Sequence, residues 1–176
     1  MKTTFLPMLG AAALLLGSRE LANAEHAVPR DVQKEGAEPQ WFQVNDSDKA
    51  MRNAVHQARR TVDVFIRALQ HPSPSQSYFE VKKPFIQNGE VEHLWLTDVR
   101  FSGNRFHGRV DNKPRKIKGL KVGALVSVNP DEISDWAFVD NGRLVGGYTI
   151  KALYATLPPE RRKELQDEVI FQIGKR

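Results

Sequence analysis

Pro130-Asp131-Glu132-Ile133-Ser134-Asp135-Trp136-Ala137-Phe138-Val139-Asp140-Asn141-Gly142-Arg143-Leu144-Val145-Gly146-Gly147-Tyr148-Thr149-Ile150 holds the densest run of structural signals in the chain. An acidic cluster opens it, and Trp136 and Phe138 give one strand face its apolar bulk. Asn141-Gly142 between two β-type runs predicts a hairpin, because both residues tolerate positive φ. Gly146-Gly147 then frees the backbone before a new element, a helix with Ile150, Leu153, Tyr154 and Leu157 on one face. Asp135 and Trp136 admit two readings. In one they bind a partner, Trp136 as anchor and Asp135 as ligand or acid. In the other Trp136 enters the core, while Asp135 or Ser134 bonds backbone N–H groups in the turn before the strand. Trp136 lies beside an apolar run and shares a face with Phe138, which favours the second. The glycine pair before Thr149 could hold an anion at a helix N-terminus; a Thr N-cap is the simpler account.

Upstream, 45–70 reads as a helix. Asp46, Ser47 and Asp48 are N-cap candidates. Met51, Ala54, Val55, Ala58, Val62, Phe65, Ile66 and Leu69 recur at helical spacing. Arg52, His56, Arg59, Arg60, Asp63 and Arg67 fill the opposite stripe, and His71-Pro72 stops the helix. Arg52, Arg59, Arg60 and Arg67 are candidates for an anion-binding surface. The alternative is a solvated face in which Asp63 pairs with Arg59 or Arg67.

Between helix and hairpin lie strands. Tyr78 to Pro84 begins them, and Asn88-Gly89 predicts a hairpin to a strand over Val91 to Phe101, apolar on both faces and therefore central. A turn at Ser102-Gly103-Asn104 leads to Arg105–Asp111, where Phe106, Gly108 and Val110 alternate with polar residues. A basic loop with Lys113, Arg115, Lys116, Lys118 and Lys121 precedes a strand over Ala124–Val128. A two-residue loop at Ser102-Gly103 sets Asp98 opposite His107, and one at Gly103-Asn104 sets it opposite Arg109. Asp98 and His107 are therefore candidate catalytic residues, an acid–base pair. No Ser nucleophile motif or second carboxylate at fixed spacing completes the set, and a cross-strand ion pair is the simpler account. The histidines His26, His56, His71, His93 and His107 form no HxH or HExxH spacing, so no metal or cofactor is expected.

The 176-residue chain suits one domain, and its 40% apolar and 27% charged content is ordinary globular usage. The absence of cysteine excludes disulfides and thiol chemistry. Residues 1–24 read as a secretory signal peptide: Lys2, the apolar run from Phe5 to Leu16, and the small-x-small site Ala22-Asn23-Ala24. The mature chain then begins at Glu25. Removing Lys2, Arg19 and Glu20, net +1, from the chain's +5 leaves about +4. That charge favours anionic envelope surfaces, and export argues against nucleic acid as a target. No second apolar run reaches the ~20 residues a bilayer span needs. Residues 25–45 read as a flexible arm that Trp41 and Phe42 could dock. Residues 46–157 form the domain. Residues 158–176 form a charged helix and tail, opened by Pro158-Pro159-Glu160, with Leu165 and Val169 as a narrow apolar stripe on a surface helix.

Trp95-Leu96-Thr97-Asp98-Val99-Arg100-Phe101, Gly119-Leu120-Lys121-Val122-Gly123, Ile133-Ser134-Asp135-Trp136 and Gly146-Gly147-Tyr148-Thr149-Ile150, in this order, resemble the YegJ-like family of bacterial domains of unknown function. The resemblance runs from about Ala50 to Leu157. It implies a single α+β domain and no assigned chemistry.

The expected fold is α+β: a twisted antiparallel sheet of about five strands, which short strands and glycine corners could curl into a half-open barrel. One long amphipathic helix packs on it, followed by short C-terminal helices. The first functional expectation is an exported, non-catalytic binding module whose partner is an envelope protein or an anionic surface. The alternatives are a small exported hydrolase using Asp98 and His107, and a peripheral binder of anionic surfaces through the arginine stripe.

Overall fold

The computed structural model describes residues 44–174, with side chains from residue 49. The expected signal peptide, its cleavage site and the arm with Trp41 and Phe42 lie outside the described residues, as do the side chains of the expected caps Asp46, Ser47 and Asp48.

Six strands form one antiparallel sheet in the order β4-β3-β2-β1-β5-β6. They are β1 (Gln76–Gln87), β2 (Glu90–Ser102), β3 (Arg105–Val110), β4 (Leu125–Val128), β5 (Asp135–Asp140) and β6 (Arg143–Gly146). The helices among the described residues are α1 (Val44–Arg60), α2 (Val62–Gln70), α3 (Tyr148–Thr156) and α4 (Pro159–Glu168). The Asn88-Gly89 and Asn141-Gly142 turns fall where the sequence places them, with φ of 52° and 83° at the first and 47° and 73° at the second.

The strand count among the described residues is six rather than five, and the four residues after Asn141-Gly142 form β6. The sheet is open, with β4 and β6 at its edges, rather than a barrel. The connection from Val128 to Asp135 passes three strands, about 19 Å across a flat sheet. Part of it is taken up by a turn closed by Glu132 N–H to the Asn129 carbonyl at 3.0 Å.

The expected single helix is two. It breaks at Thr61, whose φ of −111° and ψ of 9° leave the helical region. Thr61 Oγ1 donates to the Gln57 carbonyl at 2.7 Å, and the Ala58 carbonyl accepts Trp136 Nε1 at 2.8 Å. Side chains inserted into a helix ladder are a recognised cause of kinks.

Strand alternation divides the apolar residues between two layers. On one face, Val81, Leu94, Leu96, Phe106, Val110 and Phe138 pack with Ala58 and Phe65 of α1 and α2. On the other, Trp95, Ala137, Val139 and Leu144 pack with Leu157, Leu165, Phe171 and Ile173. The C-terminal helix thus closes a second core: Leu165 is 3% exposed. Gln172 forms a parallel bridge to Arg143, so the tail covers the β6 edge.

Candidate functional site

The β2–β3 pair carries an irregularity that shapes the site. Ser102 faces Arg105 across the Gly103-Asn104 loop, which would set Asp98 opposite Arg109. Instead Thr97 faces Arg109 and Arg100 faces His107, so Asp98 and Val99 together oppose Gly108. This β-bulge holds Asp98 at φ 50°, a conformation Asp tolerates better than most residues. Gly108 makes room for it: a Cβ there would lie 3.0 Å from both Leu96 Cβ and the Thr97 carbonyl oxygen.

Beside the bulge is a half-open cleft of about 790 Å³ lined by Asp98, Val99, Arg100, His107, Arg109 and Leu125. The volume lies in the range of small-molecule sites. The bulge therefore brings the predicted pair Asp98 and His107 into one cleft without setting them directly opposite each other. Arg109 Nη1 donates to the Gly123 carbonyl at 3.0 Å. His107 Nε2 lies 3.3 Å from the Ser102 carbonyl, which can only accept, so the ring presents its N–H there. The side chains of Asp98 and Arg100 make no hydrogen bond or ion pair among the described residues. Next to the cleft, Asp111 has a buried Oδ2 without a hydrogen-bond partner among the described residues. Burial, then the charge of Asp98, pushes its carboxyl up to about 6.

Sequence reasoning missed Arg100, Leu125 and Asp111 as site residues. Asp111 was legible in part, since it lies two residues beyond Arg109. Leu125 comes to the cleft only through the pairing of β4 with β3, where it faces Arg109.

Asp135 and Trp136 are inside the protein. Trp136 is buried against Phe65, Phe138 and Tyr148. A Cβ at Gly146, φ 68°, would stand 2.4 Å from its ring, so only glycine fits beneath it. The Asp135 carboxylate accepts the N–H groups of Trp136 (2.9 Å), Tyr148 (3.1 Å) and Thr149 (2.8 Å), and the Thr149 hydroxyl at 2.6 Å. The anion at the N-terminus of α3 is therefore the protein's own, and Thr149 donates to it instead of capping the helix. Lys82 stands beside this group, its Nζ 3.3 Å from Thr149 Oγ1 and 5.3 Å from the Trp95 ring centre. Burial pushes the Lys82 amine down and the Asp135 carboxyl up. Each charge opposes the shift of the other, and the hydrogen bonds from Thr149 and Trp136 oppose that of Asp135.

Arg52, Arg59, Arg60 and Arg67 are all exposed. Arg59 Nε is tied to the Ile133 carbonyl at 2.8 Å. Asp63 forms no ion pair with Arg59 or Arg67 among the described residues, and the break at Thr61 puts Arg60 and Arg67 on different helices. No group of His, Asp and Glu converges as a metal site among the described residues. None of their helices is long and apolar enough to cross a membrane.

Residues 48–172 match the family described as "Uncharacterized protein conserved in bacteria (DUF2314)". The chain is 34% identical over 122 residues to the uncharacterized protein YegJ of Escherichia coli (strain K12), covering 69% of this chain and 78% of that protein. It is 34% identical over 131 residues to a Neisseria meningitidis serogroup B protein named for ankyrin repeats, covering 70% of this chain and 52% of that protein. The chain thus spans about half the length of this second relative. No solved structure matches. The family match covers well over half of the chain and the first relative supports it, so the chain belongs to the DUF2314 family of uncharacterized proteins conserved in bacteria.

Proposed function

We propose that the chain is an exported, non-catalytic binding module of the bacterial envelope that grips its partner in the cleft between β2, β3 and β4. The observation that carries this reading is the cleft wall. A bulge aims Asp98 into it, and the side chains of Asp98 and Arg100 stand there with no partner among the described residues. An unpaired carboxylate and guanidinium side by side suit a partner that brings both a donor and an acid group. Conformational strain kept at a ligand-sized cleft favours binding over packing as its purpose. Export rests on Lys2, the apolar run after it and Ala22-Asn23-Ala24.

The test is capture from envelope extract by the wild type and by Arg100→Ala with Asp98→Asn. A partner retained by the wild type and lost by the double variant supports the reading; equal capture by both sinks the cleft. Intact mass of the protein from its native host tests export, with a chain starting at Glu25 expected and an uncleaved cytoplasmic chain opposing it.

A second reading has its own observation. The Asp111 carboxyl, raised to about 6 beside Asp98, is suited to proton transfer near neutral pH. In that case the module is a small hydrolase with Asp98, His107 and Asp111 around the cleft. His107→Ala would then abolish any hydrolytic activity while leaving the fold intact.

A further inference from the structure

We propose that the tip of the β1–β2 hairpin, with the basic loop fastened to it, is a docking surface for an anionic lipid bilayer. This does not rest on the cleft.

The loop between β3 and β4 has no regular structure, yet it is held firmly. The Glu92 carboxylate accepts the backbone N–H groups of Arg115 at 2.9 and 3.0 Å, of Lys116 at 2.9 Å and of Ile117 at 3.3 Å. Gln87 brackets the next residue: its Oε1 accepts the Lys118 N–H at 2.7 Å, and its Nε2 donates to the Lys118 carbonyl at 3.2 Å. Lys116 Nζ reaches Glu90 at 2.8 Å. Both acids of the hairpin tip are therefore engaged with the loop. From Lys113 to Asn129 the chain has five cations and no carboxylate. Lys113, Lys118 and Lys121 are exposed there.

The same tip carries apolar surface. Ile86 and Val91 are direct cross-strand partners and so share a face, and they are 73% and 45% exposed. Val122, at the end of the basic loop, is 57% exposed. Exposed aliphatic side chains on a hairpin tip next to fixed lysines match a bilayer in two ways. The aliphatic groups enter the headgroup boundary, and the lysines meet the anionic surface with their stems along it. A nucleic acid would use the lysines but gain nothing from Ile86 and Val91, and Phe85, the aromatic side chain beside Ile86, is half-buried against the core with Lys83 Nζ 5.9 Å from its ring centre.

The absence of cysteine makes a site-specific test direct. Ile86→Cys and, as a control on the arginine stripe, Arg60→Cys are each labelled in the full chain with a nitrobenzoxadiazole fluorophore. Vesicles of phosphatidylglycerol with phosphatidylcholine are compared with phosphatidylcholine alone. Because the probe reports its own position, the apolar segment near the N-terminus cannot mimic the result. The expected result is a blue shift and brightening at residue 86 on anionic vesicles only, lost at high salt, with residue 60 silent. Reversing Lys113, Lys118 and Lys121 to Glu should weaken the residue 86 response about a hundredfold or more, since each cation is worth roughly fivefold in partition. A silent probe at residue 86, a response at residue 60 alone, or an equal response on neutral vesicles overturns the proposal. An equal response to duplex DNA overturns it in favour of a nucleic acid.

Discussion

Trp136 donates its indole N–H to the Ala58 carbonyl at 2.8 Å, at the last turn of α1 before the helix breaks. One side chain of β5 thus sets the bend of the helical layer above it, and its ring stacks on Phe138 with centroids 6.1 Å apart. Trp136→Phe should keep most of the packing and lose the hydrogen bond, costing about 1–2 kcal/mol. Trp136→Ala should cost about 3–5 kcal/mol. Urea unfolding of the two variants separates the bond from the ring.

Asp135 is worth more than a turn residue. Replacing it by Ala strands buried donors from Trp136, Tyr148 and Thr149 and leaves Lys82 without its counter-charge. The expected loss is about 3–5 kcal/mol, the usual range for breaking one side of a buried pair. Asp135→Asn should fall between that and the wild type. The urea midpoint measures both, and a loss under 1 kcal/mol for Asp135→Ala would show that water replaces the carboxylate.

Asp111 makes stability depend on pH. Its folded carboxyl titrates near 6, against 3.8 for the ordinary group. Below about 4 both states are protonated, so the group contributes nothing. Between about 4 and 6 the unfolded chain releases the proton and the folded chain keeps it, so stability falls as pH rises. Above 6 the cost is complete, about 1–3 kcal/mol, with the lower end favoured because half of the group faces solvent. Asp111→Asn should flatten urea midpoints between pH 4 and 7 and raise the value at pH 7. Asp98→Asn should make the fall smaller and end it at lower pH, because ionisation of Asp111 then meets less opposition.

Gly108 tests the bulge. Gly108→Ala forces a Cβ against Leu96 and Thr97, and the expected cost is about 1–3 kcal/mol as the strands shift. The backbone amide signals of Asp98 and Val99 should move more than those of Phe106. Unmoved signals with a wild-type midpoint would show that the bulge does not need glycine.

Local chemistry determined much of this protein from the sequence alone. The hairpins at Asn88-Gly89 and Asn141-Gly142 were legible because positive φ at paired turn residues depends on nearest neighbours only. The apolar stripe from Met51 to Leu69 and the helix after Gly147 were legible because periodicity records which face meets the core. Trp136 read as a core residue for the same reason. What only the tertiary structure decided depends on contacts between distant parts of the chain. The break at Thr61 involves Trp136, 75 positions later. The capping of α3 comes from Asp135 on β5, so no local pattern marks it. The strand order, with β5 beside β1, follows from how two apolar faces share the helices. The bulge that turns Asp98 into the cleft follows from the register of β2 against β3, and register belongs to a pair of strands, never to one alone.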